Sequence, residues 1–173
     1  MAGSRIVDFY AGAAPDHRGR SLAQLQSQSL SALESNHDYI QWLFPLPERS
    51  SASAHAPILT PADIEAFAQS PALRSSLLDS LSVMLKFYGF ESVDTGSRLE
   101  FRRGPDFAAR SEVWLTAFNH NYLRLTRILR ALNLLGCARH ADTLFRALQD
   151  VYREHADAIS EETFEYWQRA ARR

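Results

Sequence analysis

The chain has 173 residues, 46% of them hydrophobic and 23% charged, which suits one domain with a sizeable core and excludes wholesale disorder. Nineteen Lys and Arg oppose twenty Asp and Glu, for a net charge of -1, which excludes the strongly basic balance of a general nucleic-acid binder. The single cysteine, Cys137, excludes an intrachain disulfide and every multi-cysteine metal motif, in keeping with a reducing cytoplasm.

Helical periodicity dominates from the first third onward. Ser21 with Gln24 three residues on reads as a capping box, and Leu22, Leu25, Leu30 and Leu33 then form an imperfect apolar face to Glu34. A short helix over 37–43 carries Tyr39, Ile40, Trp42 and Leu43, and Pro45 and Pro47 end it. Residues 48–59 read as an exposed loop. Thr60-Pro61 and Ser70-Pro71 each place a cap before a proline at the first helical position. The second of these helices, with Leu73, Leu77, Leu81, Met84 and Tyr88 at spacings of three and four, closes at Gly89. Residues 90–104 alternate weakly, which is compatible with a short hairpin. Three further helical patterns follow: Phe107 to Phe118, then one capped by Asn119, with Leu125, Ile128, Leu132 and Leu135 on one face and Gly136 at its end, then Arg139 to His155. Ser160 caps a last helix through Phe164 and Trp167. The expected fold is all-α, a single domain over 1–173 with six to eight helices around one core.

Charge is unevenly spread: residues 1–94 sum to -4, residues 95–150 to +4 and residues 151–173 to -1. Lys86 is the only lysine beside eighteen arginines, a skew that suits a GC-rich, bacterial genome and raises the question of which arginines are chosen for their planar fork. The first residues lack the apolar run of a secretion signal, and no segment approaches the roughly 18 apolar residues of a membrane span, so a cytoplasmic location is expected.

No phosphate-binding, metalloprotease or nucleophile-elbow motif occurs. Two polar-aromatic patches stand out instead. In Asn36-His37-Asp38-Tyr39-Ile40-Gln41-Trp42-Leu43-Phe44-Pro45, His37 and Asp38 offer a base or ligand, while Tyr39 and Trp42 either wall a pocket or fill the core. In Asn119-His120-Asn121-Tyr122-Leu123-Arg124-Leu125-Thr126-Arg127, Arg124, Arg127 and Arg130 stack along one helical stripe behind Asn119 and His120. That stripe suits a phosphate or carboxylate, or else pairs with acids such as Asp38. A metal centre from His37, Asp38 and His120 is not expected, because no ligands cluster at a defined spacing. Cys137, after Gly136 at a helix end, reads as a small apolar residue.

These two patches also carry a family resemblance. Asn36 through Leu46 resembles the signature of the opioid growth factor receptor conserved region. Leu59-Thr60 with Ile64 and Phe67, Met84 through Gly89, and Asn119 through Leu129 are similar to the following family blocks, in the same order. The resemblance runs from about Phe9 to Trp167. It implies a receptor-like domain whose animal members bind the opioid growth factor, the pentapeptide Met-enkephalin, and associate with the nucleus and its outer membrane. Peripheral membrane association follows from the resemblance alone.

The leading expectation is a non-enzymatic binding module without cofactor or metal. It takes a short peptide or small anionic ligand between the two patches. The expected ligand-binding residues are His37, Asp38, Tyr39, Trp42, Asn119, His120, Tyr122, Arg124 and Arg127, with Arg124 or Arg127 on a carboxylate and the aromatics over an apolar side chain. One alternative is a hydrolase or nucleotide-processing enzyme using His37, Asp38 and His120. Another is weak nucleic-acid binding through the basic 95–150 part, which its modest charge disfavours.

Overall fold

Serine and threonine side chains set most helix starts in the computed structural model, which describes residues 4–172. Ser4 caps α1 (Arg5–Tyr10), Ser21 caps α2 (Leu22–Gln26) and Ser29 caps α3 (Leu30–Ser35), each oxygen accepting from an otherwise orphaned N–H of the first turn. After α4 (Ile40–Leu43), Thr60 and Asp63 form a reciprocal capping box at α5 (Pro61–Gln69), with Pro61 at the first turn. Helix α6 (Pro71–Tyr88) leads to strands β1 (Phe90–Asp94) and β2 (Leu99–Arg103). Then come α7 (Phe107–Trp114), α8 (Asn121–Leu134), α9 (Ala138–Glu154) and α10 (Glu161–Ala171), the last capped by Ser160.

The described residues therefore hold ten helices and an antiparallel hairpin, so the fold is mostly helical and not purely all-α. Three boundaries differ from the sequence expectation. The helix expected from Ser21 to Glu34 is two, because Ser29 is extended and caps a fresh start. The helix expected over 37–43 begins only at Ile40. The helix expected to Phe118 stops at Trp114, and Phe118 sits fully exposed at φ 58°. Helix α1 was not foreseen, although Ile6, Phe9 and Tyr10 already show the three- and four-residue spacing of its buried face.

The chain folds as two compact units, one reaching to Val83 and including Leu134–Gly136, the other holding the remainder. In the first unit, Phe9 meets Trp42 edge-on at 5.0 Å between ring centroids, and Tyr10 meets Phe67 at 5.1 Å. The Tyr10 hydroxyl donates to the Leu43 carbonyl. An isolated parallel bridge pairs Leu46 with Ile58, and the Leu59 N–H donates to the Leu46 carbonyl at 3.0 Å, so the intervening loop is tied off at its base.

In the second unit, β1 and β2 pair in register Phe90↔Arg103 through Asp94↔Leu99. Helix α9 packs along β2, and α10 packs on α9 with Tyr152 stacked on Phe164 at 4.2 Å. The C-terminus of α6 is closed by α7. The last carbonyls of a helix lack intrahelical partners. Here the Phe87 carbonyl accepts from Arg110 Nε at 2.7 Å, and the Tyr88 carbonyl accepts from the Trp114 indole at 3.1 Å.

Gly89 makes that closure sterically feasible. Its φ is +85°, and a Cβ there would lie 2.6 Å from the Phe107 Cα. Left-handed backbone and a clash with main chain then act together. Gly89→Ala is expected to lower unfolding free energy by about 2–4 kcal/mol, read as a reduced urea midpoint. Gly96→Ala, with φ +80° and no heavy atom within 4 Å, should cost about 1–2 kcal/mol from backbone strain alone.

Candidate functional site

The first patch lies in the first unit, and its aromatic members are interior. Tyr39 is 0% exposed and donates its hydroxyl to the Leu33 carbonyl at 3.0 Å. Trp42 is 1% exposed, and its indole N–H donates to His17 Nδ1 at 3.1 Å. His17 lies parallel to the Trp42 ring at 6.1 Å and to His55 at 5.3 Å, while the Arg5 guanidinium sits 5.2 Å from the Trp42 centroid. Gln41 is buried, and its amide donates to the His37 carbonyl at 3.2 Å. His37 is exposed and Asp38 half-buried.

The second patch lies in the second unit and is built the same way. Asn119 organises the start of α8: its side-chain Oδ1 accepts from the Asn121 N–H at 3.0 Å, and its side-chain Nδ2 donates to the Val113 carbonyl at 3.0 Å. Asn121 is fully buried and accepts from Arg124 Nη1 at 3.1 Å, Arg124 itself being only 5% exposed. Tyr122 is buried against Trp167 at 5.8 Å, and its hydroxyl donates to the Ala158 carbonyl at 3.3 Å. Burial, with a lesser push from the Asp157 charge, raises the Tyr122 pKa to about 12. His120 is exposed and Arg127 half-buried. Of the nine expected ligand-binding residues, Tyr39, Trp42, Tyr122 and Arg124 are therefore interior. His37 and His120 face outward, and Asp38, Asn119 and Arg127 lie between these extremes.

The profile of the family described as the opioid growth factor receptor (OGFr) conserved region matches residues 12–173. The chain belongs to this family. It is 42% identical to the opioid growth factor receptor of Rattus norvegicus over 114 residues, 66% of this chain and 19% of that protein. It is 32% identical to the Homo sapiens receptor over 153 residues, 87% of this chain and 22% of that protein. It is 39% identical to the opioid growth factor receptor-like protein 1 of Xenopus tropicalis over 104 residues, 60% of this chain and 20% of that protein. The chain thus spans about a fifth of the length of these relatives. No solved structure matches it.

Among the described residues no helix is long and apolar enough to cross a membrane. No group of three metal-ligating side chains occurs among the described residues. The side chains that sequence reasoning missed surround Asp38. Arg18 Nη1 donates to Asp38 Oδ2 at 2.9 Å, and Arg20 Nη1 to Asp38 Oδ1 at 3.1 Å. Arg20 Nε also donates to Asp16 Oδ2 at 2.8 Å, so one guanidinium joins two carboxylates. The indole bond makes His17 Nδ1 an acceptor, which places the neutral ring's proton on Nε2, 3.8 Å from Asp38 Oδ2. No local motif announces this cluster, because residues 16–20 and Asp38 are separated by α2 and α3.

Burial raises the Asp38 pKa, but hydrogen bonds from Arg18 and Arg20, with their charges, outweigh it and leave the carboxyl below its ordinary 3.8. Asp16 behaves alike: burial raises it, and bonds from Arg20 and from the Arg20 and Arg18 backbone bring it below 3.8. A depressed folded pKa means that the unfolded chain takes up the proton first. The stabilisation is therefore complete above pH ~4 and is lost as pH falls through the folded values. Asp38→Asn should lower the melting temperature at pH 7 and flatten its decline between about pH 4 and pH 2 relative to the parent. Equal acid slopes for parent and variant would contradict this assignment.

Proposed function

We propose that the chain is a non-enzymatic, cytoplasmic binding module that takes a short peptide or a small anionic ligand. The observation that supports this reading is the division of labour inside each signature block. Tyr39, Trp42 and Tyr122 are buried and hydrogen-bonded, while His37 and His120 on the same short segments are exposed and Arg127 is half-buried. Such packing holds the outward groups still before a ligand arrives, which lowers the entropic cost of binding. His120 and Arg127, in the second unit, are the proposed contacts, with Tyr122 and Arg124 buried on the same helix start. Asp38 acts by fastening Arg18 and Arg20, and Asn119 by ordering the first turn of α8.

The relatives' name, opioid growth factor receptor, favours a peptide among such ligands. A guanidinium fork suits a peptide carboxylate, which it grips through two parallel hydrogen bonds. No specific observation favours hydrolysis or nucleotide processing through His37, Asp38 and His120.

Calorimetry with the opioid growth factor pentapeptide, its C-terminal amide and a series of small dicarboxylates tests the proposal. Arg127→Ala should weaken binding about tenfold, and Arg127→Lys should recover only part of it, since lysine keeps the charge but not the fork. His120→Ala should weaken it less, and His37→Ala, in the first unit, should leave it unchanged. The reading fails if nothing in the panel binds. It fails equally if the Arg127 and His120 variants bind as the parent does.

A further inference from the structure

The hairpin of the second unit leaves one strand edge unused. In an antiparallel pair, residues alternate between those whose backbone groups bond the partner strand and those whose groups point away. Here the Gly104 N–H donates to the Gly89 carbonyl at 2.8 Å, and the Thr95 N–H donates to the Arg98 carbonyl at 3.0 Å. With the observed register, Arg98, Glu100 and Arg102 therefore bond toward β1, and Leu99 and Phe101 direct their N–H and C=O groups outward. No hydrogen bond among the described residues reaches those outward groups.

That edge opens onto a groove of about 410 Å³ between β2 and α9. Consecutive residues from Arg98 to Arg102 line it, as an edge requires, since either face would present only alternate ones. Its opposite wall is α9, which contributes Thr143, Arg146, Ala147 and Asp150. Leu99 and Phe101 are 8% and 7% exposed and supply an apolar floor. Three arginines border the groove. Arg98 and Arg102 share one carboxylate, Glu100, whose pKa is held below the ordinary range chiefly by its hydrogen bond from Arg102. Asp150 is matched by Arg153 at 2.7 Å. Arg146 is exposed and forms no ion pair among the described residues. The rim thus carries surplus positive charge beside unpaired strand hydrogen-bonding groups.

We infer that this groove binds an extended acidic peptide segment, which adds to the hairpin as a third strand along β2. Main-chain bonds from the Leu99 and Phe101 backbone would hold the peptide, as in other strand-addition complexes. Alternate acidic side chains would reach Arg98, Arg102 and Arg146, and the apolar side chains between them would lie on the floor. This reading is independent of the signature-block residues and stands or falls without them. Charged edge strands also serve simply to prevent aggregation, and the experiment separates that role from binding.

The probe is a fluorescein-labelled peptide of alternating glutamate and valine, titrated into the full chain at low salt with anisotropy as readout. Binding should weaken as salt rises, and Arg146→Ala should weaken it about tenfold without moving the melting temperature. A peptide with proline at alternate positions keeps its carboxylates but loses the donors that a strand needs, and it should not bind. Hydrogen exchange should show the Leu99 and Phe101 amides slowing only when the alternating peptide is present. The inference is overturned if the peptide does not bind at low salt, or if the proline version binds equally. It is also overturned if Arg146→Ala binds like the parent, or if those two amides are already fully protected in the free chain.

Discussion

Three indole N–H groups govern how this sequence is allowed to fold. Trp42, Trp114 and Trp167 are each at most 1% exposed, and an indole can donate but not accept. Burying one without a partner would forfeit much of the gain from hiding its ring. Each finds an acceptor: His17 Nδ1 for Trp42, the Tyr88 carbonyl for Trp114 and the Tyr122 carbonyl for Trp167. Two of these acceptors are backbone groups of α6 and α8, so satisfying the ring also sets where those helices meet their neighbours. The third is a side chain, His17, and its bond draws residues 16–20 against the first signature block.

The charges follow from that arrangement. Asp38 cannot face inward with Tyr39 and Trp42 around it, yet it is not fully solvated. Its two oxygens are taken by Arg18 and Arg20, and Arg20 reaches on to Asp16. A carboxylate in such a partly buried place is stable only with charged donors on it. Arg124 is the converse case in the second unit, a buried cation whose guanidinium donates to the Asn121 side chain. The family blocks are therefore largely interior: aromatic cores with polar groups fastened around them.

Local signals made the helix starts readable. Ser21 with Gln24, Thr60 before Pro61 and Ser160 are short-range devices, and each caps a helix as expected. The long α6, α8 and α9 followed from their apolar spacing. The break at Ser29 was hidden because Leu25, Leu30 and Leu33 still fit one imperfect stripe. The hairpin was only weakly visible, since outward Arg98, Glu100 and Arg102 alternate with just two buried residues, Leu99 and Phe101. The candidate site was legible as residues and not as roles. Aromatics beside arginines suggest a pocket wall or a core equally well, and burial alone separates these. His17, Arg18 and Arg20 offered no motif, because their partners arrive through tertiary folding.

The arginine skew gains a physical meaning at a few positions. Arg74 Nη1 bonds the Phe67 and Ala68 carbonyls at 2.5 Å each, closing the end of α5, where orphaned carbonyls need donors. Arg110 bonds the Phe87 carbonyl while its guanidinium lies 4.8 Å from the Phe87 ring centroid. Arg20 spans Asp16 and Asp38 at once. A lysine ammonium carries three donors on one nitrogen and could serve the two carbonyls that Arg74 holds through Nη1 alone, but it has no planar face to lay on a ring and no fork to divide between separate carboxylates. At Arg110 and Arg20 arginine is required by geometry, whatever the genome prefers. At exposed Arg153 and Arg169, which pair one helical turn away with Asp150 and Glu165, lysine would serve about as well. The skew is thus neither uniform bias nor uniform selection: the arginines that lysine could not replace are Arg110, laid on a ring, and Arg20, joining two carboxylates.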